Sequence, residues 1–249
     1  MSKRLDEIYR KNAEFKKKSP YNFCDRWCQR CPHEKQNCCR LYLDDFERRA
    51  TCIAHGREED DSEITEAVFE GQYKDMEEKL GEQAGKFDID LDNPEIDESE
   101  LDEGGWIDFE DLPKGVQEHI KFVENNPLDT TANNYSKKAR IFLKDTFYKS
   151  QPADSKFRYA FETISWYHTL LPVKLKRALA GFHEPVSEDE FALYDAVAQF
   201  EICKKSAQES IKALREIKKH FPSRQAQIIE LIALLHNIYS RIEALLKTV

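Results

Sequence analysis

From Phe157 onward, apolar residues recur at steps of four and three along one face: Phe157, Phe161, Ile164, Leu171, Leu175 and Leu179, with His168 on the same line. That spacing fits the 3.6-residue turn of an α-helix, whereas a half-buried strand would need alternation at every second residue. Gly181 is expected to end this helix, and Pro172 to kink it. The stripe returns twice downstream, first as Val197, Cys203, Ala207, Leu214, Ile217 and Phe221, then as Ile228, Leu231, Leu235, Tyr239, Ile242 and Leu246. Ser187 and Glu190 form a capping-box pattern before the first of these, and Pro222 with Ser223 separates the two. Long striped helices cannot stand alone in water, and short breaks between them predict an antiparallel bundle. Strand-like alternation of convincing length is absent, so the fold class is all-α.

Upstream, Ser2 is a candidate cap for a helix bearing Leu5, Ile8 and Phe15, which should end before Pro20. A second helix is expected over about Cys39–Ala54, with Tyr42, Phe46 and Ile53 on one face. Ser62 can cap a third, carrying Val68, Tyr73, Met76 and Leu80. Periodicity fades after Gly81. Residues 57–111 hold 23 acidic and 4 basic side chains, net −19, while the rest of the chain is net +10. The stretch FDIDLDNPEIDESELDEGG has the composition of a disordered acidic linker, followed by the apolar Trp106, Ile107 and Phe109. Pro113 is placed to open a helix to about Glu124, and a longer helical block starts near Tyr135. The expected division is 1–56, a helix plus a cysteine-rich metal-binding segment; 57–112, an acidic linker, partly helical and then disordered; and 113–249, the helical bundle.

Five of the seven cysteines fall within the Cys24–Cys39 segment, spaced Cys24-x3-Cys28-x2-Cys31-x6-Cys38-Cys39. No apolar run approaches the roughly 18–20 residues that cross a bilayer, and the first residues lack a signal-peptide core. A cytoplasmic protein is expected, in which thiols serve more often as metal ligands than as disulfides. Loops of two to six residues let four thiolates converge on one centre, so Cys24, Cys28, Cys31 and one of Cys38 or Cys39 are the candidate metal ligands. Three packed cysteines with a trailing fourth, and Pro32 directly after Cys31, favour an iron–sulfur cluster of the 4Fe–4S type over zinc. His33 or His55 could replace a sulfur, although a surface histidine is the simpler reading. Cys52 is the poorer ligand, about 21 Å beyond Cys38 if the intervening chain is helical. Cys203 belongs to a bundle stripe. The first three cysteines also match radical S-adenosylmethionine spacing, but Gln29 stands where those enzymes place an aromatic residue, and no alternating strands supply their barrel.

The Cys24–Cys39 segment with Trp27, taken with ISWYHTLLPVKLKRAL and the SAQESIKALREI that follows, resembles a family of uncharacterised bacterial proteins. Those proteins have a cysteine-rich N-terminal segment and a helical C-terminal half. The resemblance covers about half of the chain and implies that two-part architecture, without an activity.

Other site chemistries are poorly served. No Glu-x-x-His pair marks a di-iron bundle, so His168 reads as a hydrogen-bonded core or groove histidine. Asp88, Asp90 and Asp92 open like a calcium loop, but Asn93 and Ser99 occupy its glycine and terminal-ligand positions. Neither a phosphate-binding glycine loop nor a catalytic triad can be assigned, and whether the chain is an enzyme stays open. The expected function is metal binding in the service of protein binding or redox sensing, toward an unidentified protein partner and no membrane. One alternative is an iron–sulfur electron-transfer component or enzyme. Another is a zinc-stabilised nucleic-acid module in which Arg26, Arg30, Arg40, Arg48, Arg49 and Lys16–Lys18 meet phosphates while Trp27 and Tyr21 stack on bases.

Overall fold

The structure is a computed structural model and describes residues 3–32, 36, 39–86, 108–148, 155–183 and 190–249. Among them are eight α-helices and no strand: α1 Lys3–Lys18, α2 Arg40–Ala54, α3 Ser62–Lys86, α4 Lys114–Glu124, α5 Pro127–Thr146, α6 Ser155–His183, α7 Glu190–His220 and α8 Gln225–Leu246. The all-α expectation holds. No helix among the described residues is long and apolar enough to cross a membrane. Two compact units result, Met1–Arg30 with Leu112–Val249, and Cys31–Asp111.

In the first unit the stripes read from sequence form the core. Phe161, Ile164, Leu171, Leu175 and Leu179 of α6 are buried, as are Val197, Cys203, Ala207, Leu214 and Ile217 of α7 and Ile228, Leu231, Leu235, Ile242 and Leu246 of α8. Each large apolar side chain removed from water contributes about 1.5–3 kcal/mol, enough for three such stripes to hold the helices together. Contacts fix their directions. The Arg177–Asp195 pair and the Phe161–Phe221 contact run α6 and α7 antiparallel, and for α7 and α8 the short 221–224 connection, with the Lys204–Glu243 pair about five turns away from it on each helix, does the same. α1 joins this core through Leu5 and Ile8, and its Tyr9 hydroxyl donates to Glu201 on α7 at 2.7 Å. Its last turn, Lys16, Lys17 and Lys18, places positive charge at the negative end of the helix dipole before Pro20.

Several local expectations need correction. α6 does not stop at Gly181 but continues to His183. The glycine instead permits a close crossing, because a Cβ there would stand 2.7 Å from the Ala192 carbonyl oxygen on α7. α5 starts at Pro127, eight residues before Tyr135. Its side-chain cap is Asn126, which accepts the Leu128 N–H at 2.9 Å, and Pro127 takes the first helical position, where no N–H is needed.

In the second unit α2 begins where expected, with Cys39 at its N-cap. Its expected apolar face is exposed at Phe46 and Ile53, and the residue it buries is Cys52. The Cys52 sulfur lies 4.0 Å from both the Asp61 carbonyl and the Thr65 hydroxyl, in the junction of α2 and α3. Asp61, not Ser62, caps α3, accepting the N–H groups of Glu63 and Ile64. α3 runs past Gly81 to Lys86 with Phe69, Tyr73, Met76 and Leu80 exposed. The disordered-linker reading over 87–105, the calcium-loop comparison, Trp106 and Ile107, and the Ser2 and Ser187 caps fall outside the described residues.

Candidate metal centre

After α1, the tight turn Pro20–Phe23 leads to Cys24, and a second turn, Cys28–Arg30, follows. Between them the chain is held on the bundle by residues that are not cysteines. Gln199 of α7 donates to the Asn22 carbonyl at 3.1 Å, and the Trp166 indole of α6 donates to the Asp25 carbonyl at 3.0 Å. The Asp25 carboxylate accepts from the Tyr167 hydroxyl and the Lys205 ammonium, each at 2.8 Å. Burial alone would raise the Asp25 pKa, but these two donors outweigh it and hold the carboxyl below its ordinary value. Tyr167 is pushed the other way, above the ordinary phenol, by burial and then by the carboxylate it serves.

Trp27 is 8% exposed, stacked on Trp166 at 5.3 Å between ring centroids and edge-on to Tyr167 at 5.8 Å. Arg30 closes the assembly. Its guanidinium carbon lies 3.3 Å from the Trp27 ring centroid and 3.6 Å from that of Tyr159, while its nitrogens reach the Thr163 hydroxyl at 2.9 Å and Glu162 at 3.4 Å. A planar guanidinium both stacks and bonds in its own plane, which a lysine could not reproduce. Asp25, Trp27 and Arg30 therefore anchor the segment.

The Cys24 sulfur accepts the Arg26 N–H at 3.4 Å and donates to the Tyr21 carbonyl at 3.6 Å; the Cys28 thiol donates to the Arg26 carbonyl at 3.7 Å. Both sulfurs are thus gathered on the backbone of one residue. Arg26 has φ +53°, in the left-handed region, a conformation costing a non-glycine residue about 1–2 kcal/mol. The anchors on either side hold it there. Cys24, Cys28 and Cys31 are each half-buried, whereas Cys39, Cys52 and Cys203 are buried. The Cys203 sulfur donates to the Leu171 carbonyl at 3.9 Å in the bundle core, as its place in the stripe predicts.

Cys24 and Cys28 belong to the first unit, and Cys31 and Cys39 to the second. Cys38 and His33 fall outside the described residues, and His55 caps the C-terminal end of α2. Among the described residues no group of three or more His, Cys, Asp or Glu side chains is placed to hold a metal ion. His168 is buried, with its Nδ1 2.7 Å from the Ser165 carbonyl. Of the residues proposed to meet nucleic acid, Trp27 is buried and Arg30 is enclosed. Arg40, Arg48 and Arg49 pair with Asp44 and Asp45 on their own helix. The anchoring set Tyr159, Thr163, Trp166, Tyr167 and Lys205 was missed as such; the signal available was the aromatic run SWYH, which lies within the segment carrying the family resemblance.

No family model matches the chain, and neither a curated protein nor a solved structure matches it.

Proposed function

We propose that this chain is a metal-binding helical protein that acts by protein binding or redox sensing. Its ligands are Cys24, Cys28, Cys31 and one of Cys38 or Cys39, and an iron–sulfur cluster is favoured over zinc. The observation that supports this best is the division of labour in the anchored segment. Asp25, Trp27 and Arg30 fasten the backbone to α6 and α7, while the Cys24 and Cys28 sulfurs bond to backbone groups of Tyr21 and Arg26 within the segment. A sulfur-only donor set suits zinc or iron–sulfur and not hard cations such as magnesium or calcium. When bound, an iron–sulfur cluster supplies one-electron chemistry, and zinc a folded crosslink.

The residues of the chain prepare the ligands. The Arg26 N–H is aimed at the Cys24 sulfur at 3.4 Å, which fixes where that sulfur points. Trp27 and Trp166, stacked beneath the segment, keep water from its inner side. The test is metal content. Wild type purified without oxygen should carry iron with sulfide, or zinc, and the Cys28→Ser/Cys31→Ser double variant should carry neither. Equal metal in the two proteins would refute the ligand assignment.

A further inference from the structure

Between α1 and α7 lies a groove of about 320 Å³. α1 lines it with Tyr9, Ala13 and Lys16, spaced by four and three, and α7 with Ala198, Ile202 and Lys205 at the same spacing. Phe23, from the turn after α1, lines it as well. All of these residues belong to the first unit. The volume lies within the roughly 300–1,000 Å³ of small-molecule cavities and below the roughly 500 Å³ that one turn of a helix fills. A small ligand therefore suits it better than a partner helix.

The lining has a defined chemistry. Ala198 and Ile202, each 6% exposed, give it an apolar floor, and Tyr9 and Phe23 add two half-buried rings. Glu201, also in the lining, is already answered, since it accepts the Tyr9 hydroxyl at 2.7 Å and the Lys204 ammonium at 3.2 Å. Lys205 is answered too, by the Asp25 carboxylate at 2.8 Å. Lys16 is exposed and has no ion pair among the described residues. The unanswered charge of the groove is thus positive. Asn12 brings a second unmet need. It is 8% exposed and lines both this groove and a second hollow of about 200 Å³. Its Nδ2 donates to the Tyr194 carbonyl at 2.9 Å, which fixes the amide, and its buried Oδ1 has no partner among the described residues. Buried polar atoms are nearly always paired, so an acceptor left open beside a groove marks where a ligand's donor belongs.

We propose that this groove binds a small organic acid with a flat apolar body and an N–H or O–H donor. The body packs on Ala198 and Ile202 with the rings of Tyr9 and Phe23, the acid group meets Lys16, and the donor answers the Asn12 Oδ1. Neither the cysteines nor a metal takes part, so this inference stands or falls apart from the metal centre.

Isothermal titration calorimetry of the full chain tests it with three probes. They are indolepropionate, its uncharged methyl ester, and naphthylpropionate, which keeps a ring and the acid but lacks the N–H. Indolepropionate should bind saturably at one site. The ester should bind about two- to fivefold more weakly, the range of a single exposed ion pair. Naphthylpropionate should bind about three- to tenfold more weakly than indolepropionate, the range of one hydrogen bond. Ala13→Trp fills the groove from an exposed helix position and should abolish binding of all three. Lys16→Gln should erase the preference for acid over ester, and Asn12→Leu the preference for indole over naphthalene. Thermal melts of the same samples show which variants are folded, and if Asn12→Leu is not, the two acids on wild type still decide the donor. No saturable binding of indolepropionate, or unchanged binding by folded Ala13→Trp, overturns the site. Equal binding of acid and ester, or of the two acids, by wild type overturns the ligand class.

Discussion

Replacing Trp27 with alanine removes the centre of the anchored segment, and its cost can be worked from the contacts. The ring stacks on Trp166 and meets the edge of Tyr167, with centroids 5.3 and 5.8 Å away, and carries the Arg30 guanidinium at 3.3 Å. Each aromatic pair contributes about 0.5–1.5 kcal/mol beyond area burial. The cation–π contact adds about 0.5–2 kcal/mol. Truncating a buried tryptophan typically costs about 3–5 kcal/mol, and here the segment can partly peel away with Arg30, so a loss of about 3 kcal/mol is expected. Urea unfolding followed by far-ultraviolet circular dichroism measures it. Trp27→Phe, which keeps a stacked ring on Trp166, should lose only about 1 kcal/mol. A loss below about 1 kcal/mol for Trp27→Ala, no more than an average substitution, would refute the view that this segment is fastened to the bundle through its aromatic residues.

Two further perturbations probe the bundle beneath it. Gly181→Ala puts a Cβ 2.7 Å from the Ala192 carbonyl oxygen, so α6 and α7 must separate; a loss of about 1–3 kcal/mol should outweigh the helix-propensity gain of up to about 1 kcal/mol, and an unchanged or raised melting temperature would contradict the close crossing. Burial, only partly offset by the Ser165 and Ile164 carbonyls, holds the His168 pKa below its ordinary 6.5, so the unfolded chain takes up the proton first. The corresponding stability is fully present above pH 6.5 and is lost as the pH falls through the folded value. Denaturation midpoints between about pH 7.5 and 5 should therefore fall for wild type and flatten for His168→Gln, whereas parallel slopes would assign the pH response elsewhere.

The bundle was legible because its information is local. The Ile228, Leu231, Leu235, Ile242 and Leu246 stripe needs only the period of the helix to be read, and all five residues are buried. Gly181 was misread because a helix stop and a close helix crossing place the same residue in the chain, and only the carbonyl of Ala192 distinguishes them. Asn126 and Pro127 carried a legible start signal for α5 that was passed over in favour of the apolar block behind it. In α2 the periodicity of Tyr42, Phe46 and Ile53 was real, yet Phe46 and Ile53 are exposed, since period alone does not say which face finds a partner. The proposed ligands are legible as a cysteine spacing. The platform beneath them was not: Arg30 meets Tyr159 and Thr163, and Asp25 meets Tyr167 and Lys205, across separations of 129 to 180 residues that no local pattern encodes.

The most direct test of the account is the metal content and visible spectrum of wild-type protein purified without oxygen, beside the Cys28→Ser/Cys31→Ser variant. The account predicts stoichiometric metal in wild type, with the broad visible absorption of thiolate-to-iron charge transfer if the centre is iron–sulfur and a colourless zinc protein if it is not, and in either case its loss from the variant. A wild-type protein holding neither iron nor zinc, both as purified and after anaerobic reconstitution, would contradict it.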